Sequence, residues 1–532
     1  VNVVFVRGVL AAVMSAGMLT LAFPKAAWWP LTLIGLAPVL FVLLYDQARL
    51  NWRGAFLLGY VCGVMWFTAS LWWIGYVTVA GMMVLVQLLA VFMGGSLALG
   101  WWLVRRGVAA SVAFTAVWLV YETIQTYFMT GFPWMLLGYG LRPVVPMIQI
   151  ADVTGVYGVS GVVVLVNVAV ADAGYAWAGR LGWRGCWKSV VQAVCVAGIS
   201  VLYGVWRMRA LETPARSSVR IGLVQANIPS LVKHDSTRDY DVLQRHVVLT
   251  RALMNEHVAL VIWPETALPG YFFERRLSYH TVTKLVDEIK RPLITGLARY
   301  TAGGDGALTY YNSAAVIEPG GLVTSMYDKR HLVMFGEYVP FERYLPFLKL
   351  VTPIEGSFTA GRCGRGIVYR APDGYNVVFK VLICFEDVVA EMARIHGDEP
   401  ADVLLNLTND GWFRSSPGPY QHAALSVFRA VEQRRPLVRA TNSGVSMIVD
   451  RMGRTRAVLA RRGKMTEIAG TLVDDVPLHR GTRTLYARGG NWLLWLACGG
   501  TLGLVIVLNV TGRMAEATRE DPCSSSSVSA VG

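Results

Sequence analysis

Val381-Leu382-Ile383-Cys384-Phe385-Glu386-Asp387 sets a thiol and then two carboxylates directly after an apolar, partly β-branched run. Such a run reads as a buried strand, and the change of polarity at Cys384 as a sharp turn that presents its side chain. Far upstream, Trp263-Pro264-Glu265 offers a carboxylate and Tyr327-Asp328-Lys329-Arg330-His331 an ammonium. Nucleophile, base and oxyanion stabiliser are thus available in Cys384, Glu265 and Lys329. Each has a plainer role: a cysteine in an apolar strand is commonly filler, a Glu after a strand caps a turn, and Lys329 could pair with Asp328 on a solvated basic turn.

The surrounding residues read as alternating strands and helices. Strands are expected over Val219–Gln225, Ala259–Trp263, Leu293–Ala298, Asn312–Ile317, Val323–Asp328, Val377–Ile383, Val403–Leu407, Leu437–Ala440 and Val445–Asp450. Helices fit Asp239–Asn255 and Tyr279–Lys290, and Glu318-Pro319-Gly320-Gly321 joins a hairpin-like pair. The pattern predicts a mixed sheet flanked by helices, with Glu265, Lys329 and Cys384 each just past a strand end, where side chains converge in a crevice.

Outside this region the chain is much more apolar. Of its 532 residues 54% are hydrophobic and only 16% charged. Apolar stretches of roughly 20 residues, the length that crosses a bilayer as helix, recur over about 6–23, 28–45, 54–77, 82–104, 108–128, 153–176, 187–206 and 491–510. Trp28, Trp29, Trp101 and Trp102 lie near their ends, as interfacial anchors do. The first stretch could be a signal peptide after Arg7, but without a clear cleavage signature it reads as a retained helix. The expected organisation is a seven-helix transmembrane domain over 1–210, a catalytic domain over 217–480, a last transmembrane helix over 491–510 and a polar tail over 511–532.

Basic residues in short loops give the orientation. Arg7, Arg49, Arg53, Arg105, Arg106, Arg180, Arg184, Lys188, Arg513 and Arg519 fall on one side, against Lys25 and Arg142 on the other. Both termini are then cytoplasmic and the α/β domain is exported, which in a bacterial inner membrane means the periplasm. The net charge of +14 follows partly from this, and attraction to anionic headgroups accounts for it without nucleic acid, for which no motif is present. Arg434, Arg435, Arg439, Arg451, Arg454 and Arg456 read mostly as solvated surface. The seven cysteines make no disulfide framework; Cys363 and Cys384 could pair, which would silence the nucleophile. No Cys/His spacing resembles a zinc site, and no metal or cofactor is expected.

The motifs resemble the nitrilase, or carbon–nitrogen hydrolase, superfamily over about 217–480, and with its helices the whole chain resembles the apolipoprotein N-acyltransferase family. The words that carry this are Val224-Gln225-Ala226-Asn227-Ile228-Pro229, Trp263-Pro264-Glu265-Thr266-Ala267, Tyr327 to Val333, Phe335-Gly336-Glu337-Tyr338-Val339-Pro340 and Asn406 to Phe413. Three positions depart from the family pattern: Met334 stands where proline is usual, Phe385 where tyrosine is frequent, and His234 where tryptophan is frequent. The resemblance implies about eight transmembrane helices plus an exported αββα sandwich carrying a Glu265, Lys329, Cys384 triad.

It also implies the reaction. Cys384 takes an acyl chain from a phospholipid, through the sn-1 ester of phosphatidylethanolamine, as a thioester; the α-amine of a diacylglyceryl-cysteine at a lipoprotein N-terminus then takes it as an amide, in ping-pong fashion. Glu265 is the expected base and Lys329 the oxyanion partner. Glu337 is expected to hold Lys329 or the amine, Glu386 to accept near Cys384, and Asn312 to orient the site. Trp412, Phe413 and Phe385 are expected acyl contacts, whereas His331 and His422 have no necessary chemical role. The apolar stretch Tyr338 to Leu350, with Phe341 and Phe347, reads as a membrane-facing lid. The expected partners are the phospholipid donor, the diacylated acceptor and membrane lipid, for a monomeric enzyme. A membrane-tethered amidase or nitrilase that uses water is the alternative, and a transporter or lipid-binding scaffold is disfavoured by the few charges within the spans.

Overall fold

The structure, a computed structural model, describes residues 3–45, 50–178, 183–215, 217–233, 235–304, 306–340, 344, 357–371, 374–396, 401–479, 481 and 483–520. Helices form at each expected apolar stretch. Among the described residues six are long and apolar enough to cross a membrane: Phe5–Ala22, Trp52–Tyr76, Val79–Arg105, Val156–Trp177, Cys186–Leu211 and Trp492–Thr511. Two expected spans differ. The stretch 28–45 is broken into a tight turn, Trp29–Leu33, and a short helix, Ala37–Tyr45; Pro30 and Pro38 each lack the N–H that a continuous helix needs. Ala110–Tyr127 is a helix of 18 residues but buries Glu122, Thr123, Gln125 and Thr126 among its apolar side chains. After it the chain dips back into the bundle, with Trp134, Met135, Leu136 and Leu137 buried.

Among the described residues, twelve strands form two six-stranded sheets. In the first, β1 (Ser217–Gln225), β2 (Leu260–Ile262) and β3 (Leu293–Ala302) run parallel, continued by antiparallel β4 (Leu308–Ile317) and β5 (Val323–Asp328). The second contains β6 (Ile367–Arg370), β7 (Asn376–Ile383), β8 (Val403–Thr408), β9 (Leu437–Thr441), β10 (Met447–Val449) and β11 (Thr455–Val458), with β7, β8 and β9 parallel. β12 (Gly470–Leu478) returns to close the free edge of β1. The sequence reading did not foresee β6, β11 or β12; the last carries Asp474, Asp475 and Pro477, residues that weaken a strand pattern.

The sheets pack face to face through Ile221, Leu223, Ile262 and Val316 on one side and Phe379, Val381, Ile383 and Leu405 on the other. Asp239–Arg251 and Arg276–Ile289 cover the outer face of the first sheet through Leu243, Val247, Val282 and Val286. The outer face of the second is covered by Gly418–Gln433, giving four layers, αββα. That last helix shares one continuous apolar core with the membrane-crossing bundle: Leu425, Phe428 and Val431 belong with Leu40, Trp66 and Val163.

Polar contacts fasten the same junction. Gln421 donates to Pro24 O and Ser70 O at 3.2 and 3.1 Å and accepts from the indoles of Trp73 and Trp134 at 3.1 and 2.9 Å, so its amide is fully satisfied by the bundle. Arg434 pairs with Asp152 at 2.8 Å and donates to Gln149 Oε1 at 2.6 Å. The expectation that the arginines are surface is therefore corrected for Arg434, Arg435 and Arg439, which are buried; a buried guanidinium is tolerated where each contact is a charge-assisted hydrogen bond. Arg454 and Arg456 are exposed as expected.

Replacing Gln421 by Met keeps the volume but strands the buried Trp134 N–H and takes the partner from the half-buried Pro24 carbonyl. Thermal unfolding in detergent should show a loss of about 2–4 kcal/mol; a change below about 0.5 kcal/mol would contradict the junction described.

Candidate active site

Three strand ends deliver the expected residues to one place. Glu265 follows β2 and is held by its neighbours on β3: Ala267 N donates to Gly296 O at 3.0 Å and Gly296 N to Pro264 O at 3.1 Å. A Cβ at Gly296 would lie 2.6 Å from Glu265 Cα, so only glycine lets Glu265 approach this closely. Lys329 follows β5, its N–H donating to Asn312 O at 2.8 Å and its carbonyl accepting from Gly361 N at 2.8 Å. Cys384 follows β7 and opens the helical turn Cys384–Asp387 with φ of 51°, a left-handed conformation that costs a non-glycine residue about 1–3 kcal/mol.

Glu386 explains how that turn persists. It accepts from Ile383 N at 2.8 Å, Arg330 N at 2.8 Å, His331 N at 3.0 Å and the Tyr327 hydroxyl at 3.0 Å. One buried carboxylate thereby ties the Cys384 turn to the Lys329 loop. Burial pushes this carboxyl above its ordinary range, against the same hydrogen bonds that hold the strained turn in place.

The charged groups are closely paired. Lys329 Nζ lies 2.7 Å from Glu337 Oε2 and 3.9 Å from Glu265 Oε1. The Asn312 amide donates to both carboxylates, at 2.8 Å to Glu265 and 3.0 Å to Glu337. Lys329 and Glu265 are almost fully buried. Burial alone would push Lys329 down, but Glu337 and Glu265 outweigh it and hold the ammonium above its ordinary value. Burial pushes Glu265 above the usual carboxylate range, with Glu337 adding to it and Lys329 opposing. Burial and the charge of Glu265 likewise push the Cys384 thiol up, against Lys329. The resting site thus holds a thiol beside an unusually basic carboxylate, an arrangement for proton transfer concerted with attack.

The other expected residues are more dispersed. Phe385 lies between His331, at 5.9 Å between ring centres, and Phe132 and Trp134 of the bundle, at 6.0 and 6.1 Å. Phe413 meets Trp73 edge-on at 4.4 Å, and Trp412 is exposed. His331 is pushed below its ordinary value, by burial first and then by Lys329, which leaves it a neutral ring in an aromatic stack. Phe341, Phe347 and His234 lie outside the described residues. Cys363 and Cys384 are both free. Among the described residues no cluster of His, Cys, Asp or Glu could hold a metal ion.

Sequence reasoning missed two contributions. Lys233 donates to Glu265 O at 3.2 Å and Thr266 Oγ1 at 3.3 Å, and burial lowers it to about 8 despite the nearby Glu265. Phe132 and Trp134 reach the site from the loop after Ala110–Tyr127; their only signal was an aromatic Gly-Phe-Pro-Trp segment beyond a predicted span.

The chain is similar to known proteins over most of its length. Residues 15–169 match the model of the apolipoprotein N-acyltransferase N-terminal domain, and 220–483 that of carbon-nitrogen hydrolase. An apolipoprotein N-acyltransferase of Geobacter metallireducens is 34% identical over 513 residues, covering 93% of this chain and 94% of that protein. One from Allorhizobium ampelinum is 30% identical, covering 88% and 91%, and one from Brucella melitensis 32%, covering 76% and 77%.

The raised thiol gives a direct expectation. Alkylation of Cys384 by neutral iodoacetamide, followed against pH, should have its midpoint above the roughly 8.5 of a free thiol. A midpoint below that value would contradict the site electrostatics.

Proposed function

This chain belongs to the apolipoprotein N-acyltransferase family, and we propose that it moves a fatty acyl chain from a phospholipid, through a thioester on Cys384, to the α-amine of a diacylglyceryl-cysteine at a lipoprotein N-terminus. The observation that carries this reading is the pairing of Lys329 with Glu265 and Glu337 beside the strained Cys384, on a turn whose next residue stacks on rings of the membrane-crossing bundle.

In the first half-reaction Cys384 Sγ attacks the ester carbonyl while Glu265 takes the thiol proton. Lys329 and a backbone N–H beside Cys384 stabilise the oxyanion. The ester C–O bond breaks, Glu265 returns its proton to the departing alkoxide, and a lysophospholipid leaves. In the second, the neutral α-amine attacks the thioester carbonyl, Glu265 takes an amine proton, the C–S bond breaks and the proton goes back to sulfur. Glu337 and Asn312 keep Lys329 and Glu265 in register, and Glu386 holds the nucleophile turn. Phe385, Phe413 and Trp412 line the approach of the acyl chain.

The donor is phosphatidylethanolamine, cleaved at sn-1. The chain works as a monomer in a bacterial inner membrane, its α/β part periplasmic and both termini cytoplasmic, in keeping with the side on which the loop arginines fall. A thioester discharged by water would make the same residues an amidase; Phe132 and Trp134, which bring the membrane-crossing bundle against Phe385, support lipid substrates instead.

Purified protein incubated with labelled phosphatidylethanolamine should acquire a hydroxylamine-sensitive acyl group on Cys384. The group should be missing in Cys384→Ser and discharged by a diacylated lipopeptide with a free amine. Discharge by water alone would reject the transferase reading. The pH profile has a definite sign: Glu265 acts only when ionised, so activity falls as pH drops through its raised pKa. The acid limb of acylation should therefore lie above the ordinary value of about 4.3 for a Glu carboxyl, and a limb below it would contradict Glu265 as the base.

A further inference from the structure

Four charged side chains lie beneath the Cys384 turn and take no part in the two half-reactions. His422, on the helix Gly418–Gln433, sets Nδ1 2.8 Å from Asp410 Oδ1 and Nε2 2.8 Å from Asp387 Oδ1. Arg439, on β9, donates to the second oxygen of each, at 2.6 Å to Asp387 Oδ2 and 3.1 Å to Asp410 Oδ2. All four are at most 1% exposed. A neutral imidazole has one N–H and would turn a lone pair toward a carboxylate at 2.8 Å. The doubly protonated ring donates to both, and two cations then balance two anions, the condition under which such a cluster is tolerated in a core. Burial and Arg439 press the imidazole down, but Asp387 and Asp410 prevail and hold it above its ordinary value. Asp410 is correspondingly held below its own, burial being outweighed by His422 and Arg439.

Two links lead from this cluster to the nucleophile. Asp387 is the last residue of the turn that Cys384 opens. Arg439 also donates to Asn406 Oδ1 at 2.6 Å, and the Asn406 amide donates to Leu382 O at 3.2 Å and Cys384 O at 3.1 Å. The strained residue is thus held through its own carbonyl and through the end of its turn. A third link leads away: Trp134 lies 5.1 Å from the His422 ring, and Gln421, the adjacent residue, is bonded entirely to the bundle.

We propose that His422 is a positioning residue for Cys384: bonded to Asp387 and Asp410 at once, it sets the left-handed turn of the nucleophile and registers it against the membrane-crossing helices. The inference rests on the reading that Cys384 is acylated by a phospholipid.

The test is single-turnover acylation of the full-length protein by labelled phosphatidylethanolamine, in which the amplitude counts competent sites and the rate constant reports their geometry. His422→Gln and Asp387→Ala should each lower the rate constant per acylated site about 10- to 100-fold, with half-saturation by phospholipid unchanged. The double variant should be no slower than the slower single one, because both act through one network. A packing role alone would lower the amplitude and leave the rate constant intact, which would overturn the proposal. If His422→Gln yields no competent sites, Asp387→Asn, which keeps an oxygen for His422, should retain more of the rate than Asp387→Ala; wild-type rates in both would also overturn it. A wild-type protein that forms no adduct would remove the acyl-transfer reading itself, and this inference with it.

Discussion

The helix Gly418–Gln433 packs the second sheet on one side and the membrane-crossing bundle on the other, and of its residues only Tyr420 is not buried. A helix on a sheet ordinarily keeps a polar stripe toward water. Here that stripe has to be satisfied by protein, and the demand shapes the whole molecule. Gln421 takes all four of its hydrogen bonds from the bundle, Glu432 pairs with Arg429 at 2.8 Å and accepts from Val156 N at 3.1 Å, and His422 turns inward to the acids under the nucleophile. The α/β part is consequently not a soluble enzyme on a tether. Its second sheet and the bundle share a core.

Burial has the same consequence at the reacting groups. Removing Glu265, Lys329 and Cys384 from water raises the energy of every isolated charge, so the site keeps only charges that are paired. Lys329 is stabilised by two carboxylates, whereas the thiol is penalised both by burial and by Glu265. In the proposed mechanism Cys384 stays a thiol until a substrate carbonyl is in place, when transfer of its proton to Glu265 and attack become one event. Such a nucleophile is protected against adventitious reaction, which suits an enzyme that must wait for two lipid substrates in turn.

Much of this was legible in the sequence because it is local. Period-two and continuous apolar runs placed nine strands, and Glu265, Lys329 and Cys384 stood out because each follows such a run directly. The apolar stretches announced the bundle, although Pro30 and Pro38 broke one helix that composition alone read as continuous. What could not be read is long-range. The partners of Gln421 stand at positions 24, 70, 73 and 134, and those of Arg434 at 149 and 152. The sequence does not show which distant residues Gln421 and Arg434 meet, and arginines such as Arg439 look like surface until the fold supplies their partners. Phe385 was legible as a departure from tyrosine, but not the aromatic rings of Phe132 and Trp134 against which it lies.

The central claim is that the nucleophile turn is held from the membrane side through the helix Gly418–Gln433. Hydrogen–deuterium exchange tests it most directly, because amide protection reports which segments open together. In the wild-type protein, residues 383–388 and 418–433 should exchange as slowly as the buried parts of the bundle. In Gln421→Met both segments should lose protection together, while strands of the first sheet keep theirs. Loss of protection in 418–433 with 383–388 unchanged would contradict the account.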